Sequence, residues 1–180
     1  LQEERYSTAR TMKPRRMMYS VAASVAILIM AGVSFFMNQN YSNESLASAY
    51  FEPYDDGTRG KEIGFEAFNN GNYLEAIQEL KDVPSDDPKY IESQFYLGQS
   101  YFQIQNYSNA ISALKIVSDN GDIRFQNQSK WYLGLSHLGQ NEINEAKAIF
   151  EEIRDKNTRV YSEKAMEVLK DLDSFWRFGE

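Results

Sequence analysis

Small residues recur along this chain in pairs, against a background of alternating apolar and polar positions. Gly64, Gly98 and Gly134 are each followed twelve residues later by Ala76, Ala110 and Ala146, and the successive pairs lie 34 and 36 residues apart. A period of that length, carrying apolar residues at helical spacing on both sides of the pair, predicts stacked helical hairpins. The first hairpin is expected over 58–70 and 73–83, joined by the turn Asn69-Asn70-Gly71-Asn72. Pro84 and Pro88 end it and start the next unit. Helices at 89–105 and 107–118 form the second hairpin, with a break at Asn120-Gly121-Asp122, and helices at 123–139 and 142–154 form the third. A last helix over 159–177 carries Ala165, Leu169, Leu172 and Trp176 on one face. The small pair is expected to let the two helices approach closely, with Gly98 opposite Ala110.

The N-terminal pattern is different. Met17–Met37 is an uncharged run of 21 residues. As a helix it would cover roughly 31 Å, the hydrocarbon thickness of a bilayer. Arg15 and Arg16 abut one end, and Tyr19 and Phe35/Phe36 lie near the two ends. The positive-inside rule puts residues 1–16 in the cytoplasm and the remainder on the other side. A secretory signal peptide cleaved after Ala47-Ser48-Ala49 is the competing reading, but its apolar core is normally shorter. The Asn/Ser-rich stretch 38–49 reads as a flexible tether. Tyr50-Phe51-Glu52-Pro53-Tyr54 then places three aromatics around a proline, and an extended segment docked on the first helical pair is expected; 38–56 is thus a linker with a docked piece.

Composition narrows the function. The 180 residues contain 12 Tyr, 11 Phe and 2 Trp, enough to build a core, and no Cys, which removes disulfides, thiolate nucleophiles and cysteine-held metals. Of the net charge of −7, residues 1–16 contribute +3 and the rest −10. An acidic body without a basic stripe argues against nucleic acid as a partner. His137 is the single histidine and reads as a packed helix residue. Phosphate-binding glycine loops and nucleophile elbows are missing, so neither an enzyme nor a cofactor is expected. Because the chain begins at Leu1, it reads as a piece of a longer product.

In the second unit the register is Leu97, Gly98, Tyr101, Tyr107, Ala110 and Leu114; in the first, Ile63, Gly64, Tyr73, Ala76, Leu80 and Pro88; in the third, Leu133, Gly134, Ile143, Ala146 and Phe150. This resembles the tetratricopeptide repeat family. Ala67 and His137 depart from its first-helix aromatic, and units two and three lack its closing proline. The resemblance implies an all-α, right-handed superhelical α-solenoid of about three hairpins over 57–157, with 158–180 as a C-terminal capping helix and one transmembrane helix in front. The whole layout, including Tyr50–Tyr54 and the Ser162-Glu163-Lys164-Ala165 helix, is similar to bacterial single-span inner-membrane proteins of this type.

Such arrays bind through the concave face lined by the first helix of each unit. Counted from the Leu-Gly pair, that face offers Lys61, Phe65 and Phe68, then Phe95, Gln99 and Phe102, then Trp131 and Leu135. Aromatic side chains with a polar fringe suit an apolar peptide or amphipathic helix. The alternative is that these rings pack between neighbouring helices or lie under the chain's own Tyr50–Tyr54. Lys61, Phe65 and Gln99 do not make the basic clamp with which some family members hold a terminal carboxylate. The expectation is an anchored protein-interaction module in the periplasm that scaffolds or recruits envelope proteins. The resemblance also admits a transmembrane regulator, resembling an anti-sigma factor, with the repeats as sensor.

Overall fold

A computed structural model of the chain describes residues 23–35, 42–54, 63–120, 124–156 and 159–174. The chain divides into two units, Leu1–Asn40 and Tyr41–Glu180. In the first, residues 23–35 are helical (α1) with their side chains exposed. No helix among the described residues is long and apolar enough to cross a membrane. The rest of the expected 17–37 span lies outside the described residues, as do Lys61 and Trp176.

In the second unit every described element is helical: α2 (Asn43–Tyr50), α3 (Ile63–Asn69), α4 (Tyr73–Leu80), α5 (Tyr90–Gln103), α6 (Tyr107–Asn120), α7 (Gln126–Gly139), α8 (Ile143–Asp155) and α9 (Arg159–Leu172). From α3 to α9 each helix packs on the next in sequence, as in a helical solenoid. The fold is therefore the expected all-α stack, with α3–α4, α5–α6 and α7–α8 as its hairpins. Among the described residues, three boundaries move by three residues or more: α4 stops at Leu80, three residues early, α7 starts at Gln126, three late, and α9 ends at Leu172, with Asp173 and Ser174 already outside it.

The three hairpin turns share one geometry. Gly71, Gln105 and Asn141 adopt φ of 76°, 61° and 65°. The N–H of the following residue reaches back five positions, from Asn72 to Ala67, from Asn106 to Tyr101 and from Glu142 to His137. This is a Schellman ending, which satisfies carbonyls that the helix end would orphan. It requires a left-handed residue, a conformation that costs glycine nothing and costs Gln105 a steric penalty.

The repeated glycines do admit close helix approach, though not against the partner that the spacing suggested. A Cβ at Gly98 would lie 2.5 Å from Leu114 Cγ, one at Gly64 2.8 Å from Leu80 Cδ2, and one at Gly134 2.8 Å from Phe150 Cε1. The residue seated on each glycine is thus the large apolar one sixteen positions on. The alanines Ala76, Ala110 and Ala146 are fully buried one turn earlier.

Residues 43–49 fall in the expected flexible tether, and with Tyr50 they form helix α2 instead. Ser42 caps it, its Oγ accepting the N–H of Ser45 at 3.1 Å. Eight residues, NESLASAY, are too short a stretch to hold a helix alone. What holds α2 is tertiary: Leu46, Ala47 and Asn43 are buried, and the helix lies along α7. The Asn43 amide donates to Asn141 Oδ1 at 2.6 Å beyond the end of α7, and Tyr50 meets Trp131 near its beginning, so the two run antiparallel.

Candidate functional site

The first helices of units two and three, α5 and α7, form a trough floored by aromatic rings. Phe95 stacks on Phe125 with ring centres 4.8 Å apart and lies edge-on to Tyr96. Trp131 packs on Phe150 and Tyr161. Across this floor runs the chain's own segment 50–54. Phe51 stacks on Phe102, with centres 4.3 Å apart and planes 9° from parallel, and tilts against Tyr132. Tyr54 sits edge-on to Phe95 and Phe125.

Two polar contacts address the backbone of this segment and ignore its side chains. Gln99 Oε1 accepts the N–H of Tyr54 at 2.9 Å, and the Tyr132 hydroxyl donates to the carbonyl of Glu52 at 2.7 Å. At the rim, the Tyr50 hydroxyl donates to Asp171 Oδ2 at 2.9 Å, and Lys164 pairs with Glu52 at 2.8 Å. The phenols record the enclosure. Burial, reinforced by the hydrogen bond to Asp171, pushes Tyr50 up to about 12. Burial likewise takes Tyr161 to about 12 and raises Tyr132 further still.

Of the residues expected on the concave face, Phe95, Gln99, Phe102 and Trp131 do come together here, each at most 3% exposed. Leu135 is fully buried within α7. Phe65 and Phe68 do something else: both pack on Tyr96 of the next unit, at 5.3 and 5.1 Å, and join α3 to α5. The segment 50–54 was expected on the first helical pair. It docks instead on the second and third first helices and on α9, because α3 already spends its rings on α5. Tyr132, Phe125, Asn141 and Asp171 were not singled out from sequence. Tyr132 had a signal, since it follows Trp131 as Tyr96 follows Phe95, one period on. Outside the trough, His137 Nδ1 lies 2.6 Å from Glu142 Oε2 and ties down the third hairpin turn.

The fold is that of a helical-repeat domain. Residues 92–120 and 128–157, which are units two and three, match the family model of the tetratricopeptide repeat. No curated protein matches the chain. These two hairpins form the trough, so the repeat match and the candidate site coincide, and repeats of this kind serve protein–protein interaction.

Proposed function

We propose that the chain is a membrane-anchored interaction module whose concave face, on α5 and α7, takes a protein segment. The observation that carries this reading is that the face seats a segment of the chain itself, a two-turn helix followed by an extended aromatic stretch, held partly through its backbone. The apolar run 17–37 is the anchor, and the basic residues before it orient the repeats to the extracytoplasmic side of a bacterial inner membrane. There the module scaffolds or recruits envelope proteins and carries out no chemistry of its own.

A photo-crosslinking residue at Phe102 tests the site. In membranes it is expected to give two products, one with Phe51 of the same chain and one with a segment of an extracytoplasmic protein. If only the internal product forms, the trough is not the binding site. Anchoring is tested apart from it: the chain should resist an alkaline carbonate wash of membranes, and deletion of 17–37 should release it. Release of the undeleted chain would refute the anchor.

A further inference from the structure

The stretch 43–54 contacts the trough as a ligand contacts a receptor, and one detail of the fit is incomplete. Gln99 is fully buried, and its orientation is fixed because only its Oε1 can face the N–H of Tyr54. Its amide nitrogen Nε2 is therefore a buried donor with no protein acceptor. Buried polar groups are nearly always paired, and an unpaired one is costly. The segment 43–54 thus satisfies one end of the Gln99 amide and leaves the other unmatched.

We infer that residues 43–54 are a resident, displaceable ligand, and that the external partner is an extended segment presenting two aromatic side chains three residues apart, with a backbone N–H and a carbonyl both facing Gln99. The inference rests on the proposed concave-face site and adds the ligand class and its regulation. The spacing follows from Phe51 and Tyr54, which fill the places over Phe102 and Phe95. The second backbone bond is the one that the resident segment leaves unmade, and making it would favour the partner by about ten-fold. The resident segment has the opposite advantage, being tethered: covalent linkage gives it an effective concentration on the order of millimolar. Partner binding is thereby restricted to segments that fit better than 43–54 or that arrive at high local concentration.

The test uses a fluorescein-labelled synthetic peptide of residues 42–54 and the full chain in mild detergent. Leu46→Ser/Phe51→Ser/Tyr54→Ser should release residues 43–54 from α7 and the trough, and the peptide should then bind by anisotropy at least ten-fold more tightly than to the unaltered chain. Binding to neither, with the variant folded by circular dichroism, would show that 43–54 is a fixed part of the fold. Equal binding to both would place the peptide elsewhere. Either result overturns the inference. Should the variant fail to fold, a protease site inserted between residues 54 and 63 of the unaltered chain replaces it. After cleavage the labelled peptide should exchange into the trough under native conditions, and exchange that requires unfolding would overturn the inference. A partner crosslinked at Phe102 but indifferent to the 42–54 peptide would sink this inference while leaving the concave-face site standing.

Discussion

Replacing Gly98 by Ala is expected to destabilise the second hairpin, and replacing Leu114 as well should remove most of that effect. The added Cβ would lie 2.5 Å from Leu114 Cγ and 2.8 Å from its Cδ2, against an ordinary carbon–carbon contact of about 4 Å. Leu114 has no exposed surface into which it can turn, so α5 and α6 must separate. Overpacking of this kind costs about 1–3 kcal/mol, and the better helical preference of Ala returns about 1 kcal/mol. The net loss is therefore about 0–2 kcal/mol. Leu114→Ala alone opens a cavity and should cost about 2–5 kcal/mol. In the double variant the new methyl at 98 occupies part of that cavity, so the combined loss should fall short of the sum by about 1–3 kcal/mol. Urea denaturation of the four chains, followed by far-ultraviolet circular dichroism, measures the cycle. Additive losses would refute the contact. Coupling of Gly98→Ala to Ala110→Gly in place of Leu114→Ala would restore the pairing that the sequence spacing suggested.

Gln105→Gly should stabilise the chain by about 0.5–1 kcal/mol, because it removes the left-handed penalty at the α5–α6 turn; this corresponds to a rise in melting temperature of about 2–4 °C. A melting temperature that falls would mean that Gln105 makes compensating contacts. Titration of the phenols at 295 nm should show Tyr50 and Tyr161 ionising at about pH 12 and Tyr132 beyond them, while exposed tyrosines ionise near 10. The folded state prefers these phenols neutral, so their contribution to stability is intact below pH 10 and is lost as the pH rises through about 12. Loss of the late-titrating component in Phe51→Ser/Tyr54→Ser would tie it to the seated segment; an unchanged titration would mean that α9 alone encloses them.

The repeat was legible because its physics is local. A glycine under a large side chain, an alanine one turn before that side chain and a left-handed turn residue recur at 71, 105 and 141, and each needs only its own hairpin. Even so, spacing could not say whether Gly98 faced Ala110 or Leu114, since both lie on one face of α6, a turn apart. The trough was half legible: Phe95, Gln99, Phe102 and Trp131 were found by register. Phe65 and Phe68 share that register and yet serve the joint between α3 and α5, because what a ring touches depends on the next unit. Residues 43–49, expected as a tether, depart from the expectation for the same reason, as does the place where 50–54 docks. The α2 stretch is too short to be helical on its own, and its helix exists through Leu46 and Ala47 against α7, a contact separated by most of the domain.

That separation bears on how the chain is made. A plain hairpin array can fold as it emerges, each unit closing on the one before it. Segment 43–54 leaves the ribosome ahead of every surface it will occupy: Gln99 follows Tyr54 by 45 residues, Tyr132 follows Glu52 by 80, and Asp171 follows Tyr50 by 121. Contacts of such range form late. For much of its synthesis the nascent domain therefore carries a free aromatic segment, and that tethered segment is already at hand when α5 and α7 form the trough, ahead of any foreign peptide.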